Sequence, residues 1–192
     1  FTGFPEKTIE CILQKGNPIH YWNTFAKLIS FLDEINRRIA DEEKRKSYRE
    51  KFKSNEIFRN RELEYILILI DRYISFDKPQ MLAKLYLAYL DDKIVWEEFT
   101  MYAEVIDRFL LFDCRTLTSG ATTFHTLRDS SADIILRLVA LGLMAEDKSV
   151  SITEARRVIS GESKSASKMS SDSKRKKYRR TDFGRKLADI LR

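Results

Sequence analysis

Apolar side chains recur at steps of three and four through the first 113 residues, with little to interrupt them. From Tyr21 to Arg38 the series is Trp22, Phe25, Leu28, Ile29, Leu32 and Ile35, continued by Ile39. Such a period draws one stripe along a helix, whereas a strand would alternate apolar and polar residues. The whole chain of 192 residues holds only 6 Gly and 3 Pro, so few positions favour a break. Helix is therefore expected to dominate, with short connections. Glu56 to Ile74 carries Leu63, Ile66, Leu67, Ile70 and Ile74 on one face, widened by Ile68 and Leu69, as expected of a central helix. Asp77 is placed to cap the next helix, with Pro79 in its first turn and Leu82, Leu85, Tyr86 and Tyr89 inward. Asp91-Asp92-Lys93 turns the chain into a helix from Trp96 to Asp113, using Phe99, Tyr102, Ala103, Ile106, Phe109 and Leu110. A short element from Glu6 to Gln14 precedes the break at Gly16-Asn17-Pro18. Between the first two packed helices, Asp41 to Lys53 is highly charged and offers only Tyr48 and Phe52 as apolar anchors. It is expected on the surface or as a connector.

After residue 115 the pattern changes. Thr116 to Thr123 reads as a loop and Phe124 to Leu127 as a short helix. Ser130 or Ser131 caps a helix from Ala132 to Leu141, and Gly142 suits the left-handed position that ends it. Val150-Ser151-Ile152 alternates as a strand would, and Thr153 to Ile159 fits either more strand or a short helix. Gly161 to Ser173 holds six serines with Met169 as its one large apolar residue, a composition expected of a mobile segment. Tyr178-Arg179-Arg180 pairs back as a second strand, and Thr181-Asp182 caps the last helix.

Two stretches carry a resemblance. Asp129 to Met144, ending in Leu141-Gly142-Leu143-Met144, resembles the recognition helix and following turn of winged-helix regulators. Tyr178-Arg179-Arg180-Thr181-Asp182-Phe183-Gly184-Arg185-Lys186-Leu187 resembles their second wing strand and closing helix, where the family shows Leu-Thr-x-x-Gly-Arg. The resemblance implies helix, strand, wing, strand and closing helix, and nucleic acid as the class of partner. Two departures bear on that partner. The recognition helix would be filled by Ile134, Ile135, Leu136, Leu138, Val139 and Leu141, leaving Ser131, Asp133, Arg137 and Ala140 for its polar face. Base-reading helices usually present Arg, Asn, Gln or Lys there. The wing is also longer than the usual hairpin. Separately, Phe25 to Leu32, Leu85 to Phe99 and Ile106-Asp107-Arg108 resemble a family of uncharacterised bacterial and prophage proteins, which implies a bacterial or mobile-element setting and no activity.

Charge points to the same end of the chain. Residues 148–192 hold 14 Lys/Arg against 5 Asp/Glu, a balance of +9, so residues 1–147 carry −3 of the total +6. The run Lys174-Arg175-Lys176-Lys177-Tyr178-Arg179-Arg180 is the densest part. Positive charge of this density attracts phosphate or another acidic surface, or forms a solvated loop. Lys174, Arg175, Lys176, Lys177, Arg179, Arg180, Arg137 and Ser131 are the candidate nucleic-acid-binding residues. Tyr178 is placed to stack on a base or to pack inward. An anionic membrane surface is a third possible target, but no amphipathic anchor adjoins the run.

Catalytic and metal chemistry find no pattern. Starting a calcium loop at Asp91 puts Lys93, Val95 and Trp96 where oxygen ligands and Gly are required. His20 and His125 are about a hundred residues apart, and Cys114 with His125 lacks an orienting third group. Phosphate-binding Gly loops and nucleophile elbows are missing from the sequence. Asp71-Arg72 and Asp107-Arg108 recur on two helices, as an interhelical ion pair would require. Two cysteines, Cys11 and Cys114, far apart in apolar contexts, fit a reducing cytoplasm. The apolar runs fall short of the roughly 18–20 residues of a spanning helix. The chain begins at Phe1 rather than Met, as expected of a trimmed piece. The expectation is thus a mainly α protein: a helical bundle over 1–115, then a winged-helix-like domain over 116–192 with a small β-hairpin and a long basic wing at about 148–180. The expected role is non-enzymatic, without cofactor or metal. It is binding to nucleic-acid backbone or, alternatively, service as a protein-interaction adaptor or regulator in a phage or defence setting, with a homodimer as one form.

Overall fold

The computed structural model describes residues 18–39, 41–54, 56–125, 131–147 and 176–192. The protein is mainly α, with one small antiparallel sheet among the described residues. It divides into two compact units, Phe1–Arg108 and Phe109–Arg192.

The first unit contains α1 (Pro18–Arg38), α2 (Glu42–Ser54), α3 (Glu56–Arg72), α4 (Asp77–Leu90) and α5 (Trp96–Arg108). α1 packs on α4 and α3, and α4 packs on α5. The central helix is α4 more than α3. Met81, Leu82, Ala83, Leu85, Tyr86, Leu87, Ala88 and Leu90 are all buried, so α4 is covered on nearly every side. That all-round burial is why its short apolar run shows little amphipathic contrast. The α1 stripe is narrower than its period suggests. Leu28, Phe31, Ile35 and Ile39 are buried, but Trp22 is 64% exposed and Ile29 is exposed. Thr24, Lys27 and Glu34 occupy the buried margin instead. Their polar ends are met by partners: Thr24 Oγ1 donates to Asp71 Oδ1 at 2.6 Å, Lys27 Nζ donates to the Asp71 carbonyl at 3.3 Å, and Arg38 Nε lies 2.6 Å from Glu34 Oε1. In α3, Leu63, Ile66, Leu67, Leu69 and Ile70 are buried. Ile68 points out, and Ile74, beyond the end of the helix, is 92% exposed.

The cap of α4 is not the Asp77 side chain: Asp77 is the first helical residue, and Ser75 Oγ accepts its N–H at 3.2 Å. The expected ion pair between the two Asp-Arg helices forms through Arg72, which pairs with Asp107 and lies 3.5 Å from Glu104. Aromatic rings fill the space between α4 and α5, with Trp96 stacked on Phe99 at 4.7 Å and Tyr89 at 5.4 Å from Trp96.

The single helix expected from Trp96 to Asp113 is two helices. α5 stops at Arg108, and α6 (Leu111–Thr118) follows. Leu110 is extended (φ −93°, ψ 157°), and its N–H donates to Asp113 Oδ2 at 2.9 Å. The Asp113 carboxylate thus starts a new helix where periodicity alone ran through. The stretch expected as a loop from Thr116 is helical to Thr118. The second unit continues with β1 (Phe124–His125), α7 (Ser131–Ala140), β2 (Met144–Glu146), β3 (Lys177–Arg180) and α8 (Asp182–Leu191). Phe124-His125 is strand, not helix, because it pairs with β3 (Phe124 with Tyr178, His125 with Lys177). β3 also pairs with β2, setting Met144 opposite Arg180 and Glu146 opposite Tyr178, so the strand order is β1-β3-β2. Of the two described partners of the basic strand, β2 directly follows the Gly142 turn. Val150–Ile152, Gly161–Ser173 and the element at Glu6–Gln14 lie outside the described residues.

Candidate nucleic-acid interface

The Gly-Leu and Thr-x-x-Gly sequences meet in space. Gly142 has φ +73° and ends α7. Thr181 Oγ1 donates to the Gly142 carbonyl at 2.7 Å and accepts the Gly184 N–H at 3.0 Å, and Thr181 N–H donates to the Leu143 carbonyl at 3.0 Å. One threonine thus caps α8 and ties it to the turn after α7. Gly184 lets the backbones touch: a Cβ there would lie 2.0 Å from Leu143 O. These residues fasten two elements together.

The basic strand presents its cations unequally. Alternation along β3 buries Tyr178 and exposes Arg179. Tyr178 packs inward. Lys176 is exposed, and its Nζ is 3.2 Å from Glu146 Oε2, a hydrogen bond that raises the ammonium above its ordinary pKa. Arg179 pairs with Asp147 at 2.7 Å. Lys177 is half-buried opposite His125. Arg180 donates to the Ser119 carbonyl, and its guanidinium sits 5.1 Å from the Phe124 ring centre. Burial, helped by neighbouring Arg192, lowers the Arg180 pKa. Arg192 donates to the Thr118 carbonyl at 3.2 Å and the Ser119 carbonyl at 3.3 Å, so two arginines close the C-terminal end of α6. Lys174 and Arg175 lie outside the described residues.

Arg137 is tied to a buried carboxylate while its own side chain stays partly exposed. Its Nη2 lies 2.7 Å and its Nε 3.2 Å from Asp113 Oδ1, and Asp113 has no exposed surface. The hydrogen bond to Asp113 raises the Arg137 pKa. The remaining outward positions of α7 are Asp133, Leu136 and Ala140, with Leu136 54% exposed. Ser131 is the first residue of α7, and its side chain is outside the described set. The described outer face of α7 therefore offers an apolar side chain and a carboxylate where base edges would need donors.

Sequence reasoning passed over Arg115, Arg185 and Arg192. Arg115 is exposed beside the Phe112 ring, Arg185 pairs with Asp182, and Arg192 lies 2.9 Å from Asp189. The outward period of α8, Arg185-x-x-x-Asp189-x-x-Arg192, was the available signal. Cys114 is buried. Among the described residues, no three His, Cys, Asp or Glu side chains come together as metal ligands, and no helix is long and apolar enough to cross a membrane. Comparison with protein-family models, curated proteins and solved structures gives no match.

Proposed function

We propose that this is a non-enzymatic binding protein whose second unit, on a winged-helix plan, associates with nucleic-acid phosphates through its basic wing. The observation that carries the reading is where charge falls between the units. Phe109–Arg192 holds 17 Lys/Arg against 10 Asp/Glu, a balance of +7, while Phe1–Arg108 holds 18 against 19. The helix-strand-helix-strand-strand-helix order and the strand order β1-β3-β2 support the plan. In sequence, residues 147–176 between β2 and β3 hold eight Lys/Arg and four Asp/Glu. Positive charge gathered on one connection suits a polyanion. The outward Leu136 and Asp133, with Arg137 held by Asp113, argue for backbone contact without base reading. A labelled random-sequence duplex titrated across a salt series tests this against a variant with Lys174, Arg175, Lys176 and Lys177 all changed to Ala. Four to six phosphate contacts give a log-log salt slope of about −3.5 to −5.5, which the variant loses. Affinity indifferent to salt would refute the proposal.

The exposed Leu136 favours a second reading, a protein-interaction module, with self-association as its simplest form. Leu136→Ala then weakens concentration-dependent association in sedimentation velocity. A strictly monomeric parent protein removes self-association.

A further inference from the structure

α2 is attached to the α4–α5 turn by charge. Tyr48 is the one buried residue among those of α2 whose burial is described, and its hydroxyl donates to Asp91. Lys44 Nζ lies 2.9 Å from Asp91 Oδ1. Lys51 Nζ lies 2.6 Å from Asp92 Oδ2 and donates to the Leu90 carbonyl at 2.9 Å. Lys44 and Lys51 lie seven residues apart, two helical turns, so both reach the same turn. At the N-terminal end of α2, Arg45 Nε donates to the Ile39 carbonyl at 3.0 Å.

The receiving turn is itself unusual. Asp92 is the one described non-glycine residue with positive φ (57°). An aspartate tolerates that region better than most residues, because its short polar side chain bonds locally. Its carboxylate is engaged by Lys51, so the clamp and the left-handed residue coincide.

We infer that α2 is an ionic latch: a helix seated on the Asp91-Asp92 turn by Lys44, Tyr48 and Lys51, which lifts as ionic strength rises while α4 and α5 stay folded. The charges are of the kind that salt screens. The Lys51–Asp92 pair is the more open, with Asp92 exposed and Lys51 about one third exposed, while Lys44 is exposed and Asp91 is mostly buried. The groups facing Asp91 are Tyr48 and Lys44 from α2 and Lys93 from its own turn, with Nζ 3.2 Å away. When α2 lifts, Lys93 remains, and Asp91, Asp92 and the Leu90 carbonyl become acceptors open to another basic segment. The latch lies in the first unit and is independent of the phosphate-binding proposal for the second.

Hydrogen–deuterium exchange of the full chain tests it, with α4 as internal reference. Raising NaCl from about 0.02 M to about 0.5 M is expected to lower α2 protection about two- to tenfold, the loss of two partly exposed pairs, with α4 unchanged. Asp91→Asn/Asp92→Asn keeps side chains that suit the turn and removes the charges. Its α2 should be poorly protected already at low salt and indifferent to added salt. The latch is refuted if α2 protection ignores salt in the parent, if α2 and α4 lose protection together, or if the double variant keeps the parent's salt response.

Discussion

Gly184→Ala separates two ways of valuing the Thr-x-x-Gly sequence. By intrinsic propensity the change helps, since Ala is favoured over Gly inside a helix by about 1 kcal/mol. The gain is smaller here, because Gly184 lies in the first turn of α8. Against it stands the new methyl, 2.0 Å from Leu143 O, 2.8 Å from Leu143 C and 3.0 Å from Leu143 Cα. All three atoms are backbone, so no rotamer change relieves the clash; α8 has to move by about an ångström. Over-packing of this kind costs about 1–3 kcal/mol. The movement also strains the Thr181 contacts to Gly142 and Leu143, each worth about 0.5–1.5 kcal/mol. The net expectation is a loss of about 2–3 kcal/mol from the second unit. For a unit of this size that lowers its melting temperature by about 10–20 °C. Both tryptophans, Trp22 and Trp96, lie in the first unit, so calorimetry is the suitable assay. Gly120→Ala is the control, because a Cβ there meets nothing within 4 Å. If Gly184→Ala melts within about 1 °C of the parent, the close-approach argument is wrong.

Two further outcomes follow from the same geometry. Arg137→Ala strands the fully buried Asp113 carboxylate, a change that costs about 3–5 kcal/mol for a sealed pair and about 1–3 kcal/mol here, because the Arg137 side chain is 38% exposed. Urea unfolding should show that loss, whereas an arginine used only for a ligand would leave stability unchanged. At low pH, Asp91 and Glu34 should each weaken the first unit. For both, burial pushes the pKa up, but hydrogen bonds overcome it, from Tyr48, Lys44 and Lys93 for Asp91 and from Arg38 and Arg37 for Glu34. Both carboxyls are therefore held below their ordinary range. Their stabilisation is present above the unfolded carboxylate value of about 4 and is lost as pH falls through the lower folded values. The gap between the urea midpoints of the parent and Asp91→Asn at pH 7 should narrow as pH falls below the unfolded carboxylate value of about 4.

The helices were legible where one face repeats at the helical period. Leu28 and Ile35 on α1, Leu63, Ile66, Leu67 and Ile70 on α3, and Phe99, Tyr102, Ala103 and Ile106 on α5 follow the stripe and are buried. The structure departs from the period where a single contact from elsewhere decides the outcome. Trp22 and Ile29 continue the α1 stripe yet stay exposed, since a period gives the direction of a face and not how far its partners extend. Asp113 looked like the end of a helix, but its carboxylate begins one. Phe124-His125 has no strand signal in two residues and becomes strand only because β3 lies beside it.

The candidate site divides the same way. Sequence alone determined that the excess charge lies in the C-terminal part, that Gly142 ends a helix and that Thr181 begins the next, because composition, left-handed backbone and capping are properties of one short stretch. Tertiary structure decided which cations are occupied. Asp113 and Arg137 are 24 residues apart, Arg180 and Ser119 are 61, and Thr181 and Gly142 are 39. A side chain's partners over such separations are fixed by how helices and strands pack, and no local pattern encodes that an arginine on an apolar helix is already held by a buried carboxylate.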